Sequence, residues 1–222
     1  MPCEIGYRAY ASVPVPAPQP QDFRVKAEAP DITANLLEKL GVEDPEFLEW
    51  AQELDKRSLL QTALTRALRN ERTSLDFVLT DDGMLEARGS FTTTAERSRL
   101  EKTASAVSAR WQFEILGIVA ELLDYSVKIT EEKGGLVLEA EEAGKSHPCN
   151  YIRVSKRGET ADITFEHFKS RKDLEIALAK FETLARTLGV KLRIATPQIR
   201  EGEPFPHETE GHSHGHAHRH KH

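Results

Sequence analysis

The hydrophobic residues of this 222-residue chain recur at two spacings, and these spacings predict the order of its secondary structure. Apolar residues at every third or fourth position give a helix one apolar face, whereas apolar residues at alternate positions give a strand one apolar face. The pattern predicts a strand, two helices, a β-hairpin, one long helix, two more hairpins, a helix and a last strand. Hairpins interleaved with helices are typical of an α+β fold.

Residues 1–30 are predicted to form a strand followed by a spacer. Ile5, Tyr7 and Ala9 alternate with other residues, as in a short strand. The run VPVPAPQP follows, and proline at every second position removes backbone donors and favours an extended polyproline II conformation. Most such runs are linkers; the alternative is that the run docks in an aromatic groove of a partner.

Residues 31–70 are predicted to form a helical hairpin. Asp31 suits the N-cap of a first helix, which Gly41 would end. Asp44 and Pro45 suit the N-cap and first position of a second helix, which runs toward Asn70. The apolar residues that recur at helical spacing are Leu36, Leu37 and Leu40 in the first helix, and Phe47, Leu48, Ala51, Leu54, Leu60, Ala63, Leu64, Ala67 and Leu68 in the second.

Residues 71–198 are predicted to form the α+β body. The Asp81-Asp82-Gly83 turn separates two alternating runs, 75–79 and 85–91, and so predicts a β-hairpin. Thr92–Thr94 then precede a helix of about thirty residues, which we expect to organise the core. Its expected inward residues are Leu100, Ala104, Val107, Trp111, Ile115, Ile118, Val119 and Leu122.

Two further hairpins, a helix and a strand complete this body. The turns EEKGG and KRGE each lie between alternating runs, and the last helix is expected to stop at Gly189 before a strand over 190–194. Short turns require antiparallel pairing. The sequence therefore predicts a mostly antiparallel sheet of about six to eight strands, covered by the long helix and the C-terminal helix, with a disordered tail over 199–222.

Composition and charge restrict the classes of partner. A net charge of −6 disfavours binding to a nucleic-acid backbone, which needs clustered cations. The longest apolar stretch, 113–123, is interrupted by two glutamates and is too short to span a bilayer. Residues 1–13 lack the pattern of a secretory signal, so the expected compartment is the cytoplasm. Cys3 and Cys149 are far apart in sequence and predict no disulfide framework.

The C-terminal dodecamer GHSHGHAHRHKH carries the strongest chemical pattern in the chain. Histidine occupies every second position, so an extended backbone places all the imidazoles along one edge. Three or four neutral imidazoles can surround one Ni(II), Zn(II) or Cu(II) ion. The predicted metal ligands are His212, His214, His216, His218, His220 and His222.

This dodecamer resembles the histidine-rich tails and loops of nickel- and zinc-handling proteins, such as urease and hydrogenase accessory factors and metal transporters. The resemblance implies metal binding for storage or for transfer, and it covers these residues alone. An engineered purification tag is the alternative, although the interleaved Ser, Gly, Ala, Arg and Lys differ from a uniform tag. Glu208 and Glu210 are either extra oxygen ligands or solubilising surface residues.

Three residues of the body are weaker candidates for chemistry. His147 and Cys149 flank Pro148, so a thiolate and an imidazole two residues apart are able to anchor a metal or form a nucleophilic pair. The alternative for Cys149 is a small buried apolar residue. His167 extends the alternating series Ala161, Ile163 and Phe165, and is either a ligand at the rim of an apolar face or a satisfied residue at the edge of the core.

No catalytic motif in the body is supported by its local context, which favours a non-enzymatic protein. We expect a cytoplasmic accessory protein whose body binds another protein and whose tail binds a divalent transition metal, with no nucleic-acid or membrane partner. The alternatives are a small-molecule or protein interaction module with an incidental or engineered tail, and an enzyme that uses His147, Cys149 or His167.

Overall fold

The computed structural model describes residues 19–34, 44–69, 71–132, 135–145, 149–157 and 160–194. Within these ranges the chain forms nine strands and four helices. In chain order they are β1 (Gln21–Ala27), β2 (Asp31–Ala34), α1 (Pro45–Glu53), α2 (Lys56–Leu68), β3 (Asp76–Leu79), β4 (Leu85–Phe91), α3 (Thr94–Glu121), β5 (Tyr125–Glu132), β6 (Gly135–Glu142), β7 (Tyr151–Arg157), β8 (Thr160–Glu166), α4 (Arg171–Thr187) and β9 (Lys191–Ile194). The α+β class predicted from the sequence is confirmed.

The described strands form two sheets, whereas the sequence predicted one. The smaller sheet has the antiparallel order β1-β4-β3, and the larger has the order β5-β6-β7-β8-β2-β9. Strands β5 to β8 are joined by antiparallel pairing. Strand β2 pairs parallel with both β8 and β9, so this end of the sheet is not made of hairpins.

The three predicted β-hairpins are confirmed. Strands β3 and β4 pair with Leu79 opposite Leu85, and Gly83 in the connecting turn has a positive φ of 79° that suits glycine. Strands β5 and β6 pair with Val127 opposite Ala140, and β7 and β8 pair with Ile152 opposite Phe165. Hydrophobic alternation set these registers because a slip of one residue would turn every apolar side chain to the wrong face.

The second predicted helix begins as expected but ends early. Asp44 caps α1 by accepting a hydrogen bond from the Phe47 amide at 3.1 Å, and Pro45 is the first helical residue. The helix then stops at Glu53 instead of continuing to Asn70. Asp55 starts a new helix, α2, because its carboxylate accepts a hydrogen bond from the Ser58 amide at 3.1 Å. A second N-cap thus interrupts a continuous helical pattern.

Two N-terminal predictions differ from the structure. Asp31 was expected to cap a helix, but Asp31–Ala34 is strand β2, and residues 35–43 lie outside the described ranges. Strand β1 was missed because its sequence was assigned to the spacer, although Phe23, Val25 and Ala27 alternate with charged residues. The strand predicted near Ile5 also lies outside the described residues.

The long helix α3 is confirmed and joins both sheets. Thr93 caps it and forms a capping box with Glu96. Near its start, Leu100 and Ala104 pack with Phe23 and Ala87 of the smaller sheet and with Leu75, which precedes β3. Its second half belongs to the main core, together with α2, α4 and the larger sheet. The buried α3 residues of that core are Trp111, Phe113, Ile115, Leu116, Ile118, Val119 and Ala120.

Helix α4 covers the same core from the C-terminal side. Phe181 packs edge-on against Phe165 of β8, with ring centroids 5.6 Å apart. The helix is followed by Gly189, whose φ of 86° ends it as the sequence predicted. None of the helices in the described ranges combines the length and the apolar character needed to cross a membrane.

Candidate functional site

The histidine-rich dodecamer and His147 lie outside the described residues, so the structure gives no geometry for these predicted ligands. Cys149 and His167 are described. The register of β7 and β8 pairs Tyr151 with Glu166, which places Cys149, before β7, and His167, after β8, at the same end of the larger sheet. The fold thus brings together two candidates that the sequence separates.

The Cys149 side chain is buried at this end of the sheet. Only 6% of the residue is exposed, and its thiol is free. Tyr125, at the start of β5, is also buried, and its pKa is raised to about 12 because burial disfavours the phenolate. The negative charge of Glu142 contributes to this rise in the Tyr125 pKa. The described neighbours of Cys149 therefore include a buried phenol and the carboxylate-bearing residue Glu142.

His167 does not continue the inward-facing series of β8. The strand ends at Glu166, and His167 has a positive φ of 64°, a left-handed conformation that takes it out of the alternation. The residue is exposed, its ring centroid lies 6.5 Å from that of Tyr151, and its Nε2 is 3.9 Å from a carboxylate oxygen of Glu166. His167 therefore faces the solvent side of the sheet end.

A polar network that the sequence analysis missed crosses the outer face of the larger sheet. The Tyr151 hydroxyl donates a hydrogen bond to Glu139 Oε1 at 2.8 Å. The guanidinium of Arg153 donates to the same Glu139 oxygen and to Glu132, each at 3.1 Å. Alternation would have revealed the set, since these residues occupy the positions opposite to the inward apolar residues of β5, β6 and β7.

The guanidinium of Arg153 reaches from β7 across β6 to β5. Val137, on the same face of β6, is only 5% exposed although it belongs to neither core cluster. The hydroxyl oxygen of Thr130 is also buried, with no hydrogen-bond partner among the residues that the structure describes.

Burial and the neighbouring Glu139 raise the pKa of Tyr151 to about 12. The phenol therefore acts as a hydrogen-bond donor at neutral pH.

An open hollow of about 680 Å³ runs along the exposed face of α2. Two of its cations are neutralised by neighbouring acids. Arg57 is 3.0 Å from Asp81, and Arg66 forms a two-pronged ion pair with Glu121 at 2.8 and 2.9 Å. Its described lining residues are Asp55, Arg57, Ser58, Gln61, Thr62, Thr65, Arg66 and Arg69. The lining offers an anion little net positive charge.

Within the described ranges no three His, Cys, Asp or Glu residues are grouped closely enough to hold a metal ion. The described chemistry of the body therefore consists of the Cys149 and His167 end of the sheet, the Tyr151 network and the α2 hollow. In comparisons with known proteins, no family model, no curated protein and no solved structure matches the chain.

Proposed function

We propose that the chain is a cytoplasmic, non-enzymatic accessory protein that binds divalent transition metal through residues 211–222 and another protein through its folded body. The observation that carries the metal half is the alternation of six histidines in the dodecamer GHSHGHAHRHKH. The resemblance of this segment to the tails of nickel- and zinc-handling proteins supports storage or transfer as its use.

The donor set determines the metals and the pH range. Imidazole is a borderline ligand that suits Ni(II), Zn(II) and Cu(II). Only the neutral ring has a lone pair to donate, and its ordinary pKa is about 6.5, so affinity should fall as the pH drops below about 6. A segment with six rings supplies the three or four donors of one ion in several combinations. This favours exchange of the bound ion between sets of imidazoles rather than one fixed coordination geometry.

The direct experiment compares three full-length proteins by titration calorimetry with Ni(II), Zn(II) and Cu(II). The first has the unaltered sequence, and the second carries glutamine at all six tail histidines. The third, a matched control, carries Arg219→Gln and Lys221→Gln, which alters the segment but keeps every imidazole. We expect the histidine variant to lose high-affinity binding and the control to retain it.

Unchanged stoichiometry and affinity in the six-histidine variant would eliminate the metal half of the proposal. The same experiment, repeated with His147→Gln, Cys149→Ser and His167→Gln, tests the weaker ligands of the body. Retention of binding by the six-histidine variant, together with its loss in one of these body variants, would move the site to the end of the larger sheet.

A protein interaction module with an incidental tail is the second candidate, and one observation favours it. Trp50 and Leu48, both on the nine-residue helix α1, are 39% and 38% exposed. Tryptophan is enriched among the residues that dominate the free energy of protein association. Binding of a partner that is unaffected by removal of the tail histidines would support this function without the metal half.

A further inference from the structure

Helix α1 holds a lysine of the body between an aromatic ring and a carboxylate. The ammonium of Lys180, on α4, lies 4.7 Å from the centroid of the Phe47 ring and 3.2 Å from Asp44 Oδ2. A ring face attracts a cation through its quadrupole, and the carboxylate adds a direct charge interaction. This contact fastens α1 to α4 inside the molecule.

The same combination recurs on the exposed side of α1. Trp50 packs against Phe47, with ring centroids 5.3 Å apart, and remains 39% exposed. Glu46 precedes it by four residues and Glu53 follows it by three, so helical geometry places all three residues on one side of the helix. Both glutamates are exposed. We call Glu46, Trp50 and Glu53 the Trp50 surface.

The Trp50 surface differs from the Phe47 contact in having no cation of its own among the described residues. In the ranges that the structure describes, no Lys or Arg lies over the Trp50 ring, and neither Glu46 nor Glu53 forms an ion pair. Helix α1 contains no basic residue. An exposed indole between two unpaired carboxylates is complementary to a positively charged side chain with an apolar stem.

We propose that the Trp50 surface is a docking site for a basic segment of a partner protein, whose Lys or Arg side chain lies over the indole ring between the two carboxylates. This inference rests on the proposed function and specifies the partner of its protein-binding half. The methylene stem of Lys or Arg covers the apolar ring while its charge meets the glutamates. Charge complementarity of this kind selects against acidic partners.

The test uses the full-length chain in buffer with a chelator and a synthetic amphipathic helix of leucine and lysine as the probe. Trp111 is fully buried, so peptide-dependent changes in tryptophan emission report Trp50, the other of two tryptophans. A peptide with glutamate in place of each lysine is the control for apolar contact alone. We expect the lysine peptide to bind, with an affinity that falls as salt is raised.

Variants distinguish this surface from general attraction to an acidic protein. The affinity of each variant is measured by the fluorescence anisotropy of a dye-labelled lysine peptide, because Trp50→Leu removes the intrinsic reporter. Glu53→Gln and Trp50→Leu should each weaken binding of this peptide about five- to thirtyfold. Glu71→Gln removes the same charge from an exposed position that follows α2, at the end of that helix away from α1. It should change the affinity less than twofold. Thermal unfolding of each variant checks that the fold is retained.

Equal effects of Glu71→Gln and Glu53→Gln, or equal binding of the two peptides, would overturn the proposal. So would sedimentation data showing that Trp50→Leu abolishes self-association while peptide binding is unchanged, because the occupant would then be a second copy of the chain. These outcomes are independent of the metal experiment, since the chelator removes metal and no tail residue is altered.

Discussion

The indole nitrogen of Trp111 donates a hydrogen bond to the backbone carbonyl oxygen of Leu60 at 3.3 Å, which joins α3 to α2. Trp111 is fully buried in the main core. We predict that Trp111→Phe lowers the free energy of unfolding by about 1–2 kcal/mol, because it removes this bond and part of the ring. Trp111→Ala should cost about 3–5 kcal/mol.

Equilibrium unfolding in urea measures both changes. Trp50→Phe is the matched control because Trp50 is partly exposed, and its effect should stay within about 0.5 kcal/mol. If Trp111→Phe proved as mild as this control, the hydrogen bond between the two helices would contribute nothing measurable.

Glu114 is a nearly buried carboxylate on α3. Its effect on the stability of the protein depends on its ion pair with Arg110. Its side chain is 8% exposed, and its Oε1 lies 2.9 Å from Arg110 Nε. Arg110→Leu leaves the carboxylate without this cation, and we predict a loss of about 1–3 kcal/mol in the free energy of unfolding. The double variant with Glu114→Leu should recover most of that loss, since no buried charge remains.

The pair Arg97 and Glu101, which lies nearer the start of α3, serves as the control for the pair Arg110 and Glu114. Its side chains are 58% and 49% exposed, so Glu101→Leu, which keeps the contact of Arg97 with the Phe91 ring, should change stability by less than about 0.5 kcal/mol. A double variant at 110 and 114 that is less stable than Arg110→Leu alone would contradict the assigned role of Arg110.

Gly117 allows α3 to approach the larger sheet closely. A Cβ at this position would lie 3.3 Å from Val127 Cγ1 and 3.6 Å from Ile129 Cδ1. We predict that Gly117→Ala stays within about 1 kcal/mol of the natural protein, because better helix propensity offsets the tight contact. Gly117→Leu should lose at least about 1–3 kcal/mol through overpacking.

Urea denaturation of these two variants is compared with that of Ser105→Leu, which places the same side chain on an exposed position of α3. Similar stability of Gly117→Leu and Ser105→Leu would mean that the space between α3 and β5 is larger than the structure shows.

The Tyr125 phenol makes stability depend on alkaline pH. Its folded pKa is about 12 against an ordinary value of 10, so between these values the unfolded chain releases a proton that the folded chain keeps. The stability that the protonated phenol provides is complete below pH 10 and is lost as the pH rises through 12. We predict that the free energy of unfolding falls over this window, and that Tyr125→Phe makes the fall shallower. Parallel pH profiles for the two proteins would refute the assignment.

Local patterns predicted much of the fold because they depend on neighbouring residues. Each predicted hairpin, the long helix and the stop at Gly189 follow from alternation, capping and turn residues within a few positions. The errors arise where tertiary pairing decides. Asp31 is a good N-cap residue, yet its backbone pairs with Lys191 in a parallel ladder, and pairing over such a separation leaves no local pattern.

The candidate site was less predictable than the fold. Strand register places Cys149 and His167 at the same end of the larger sheet, which a chain without an assigned topology does not reveal. Alternation predicts that His167 continues the inward-facing series of β8, whereas its positive φ takes the residue out of that series. The Tyr151 network was predictable from the alternation of residues along the strands alone, because Glu139 and Arg153 lie on the polar face of paired strands.

Strand β2 gives the chain a constraint on its order of assembly. Its residues pair with Asp162 and Ile163 on one side and with Lys191–Ile194 on the other, so a segment made early waits for the last strand. During synthesis, β5 to β8 are able to pair with one another while the position of β2, between β8 and β9, is still unfilled. Long-range parallel pairing slows folding. Completion of the larger sheet should therefore be a late event that requires emergence of β9 from the ribosome.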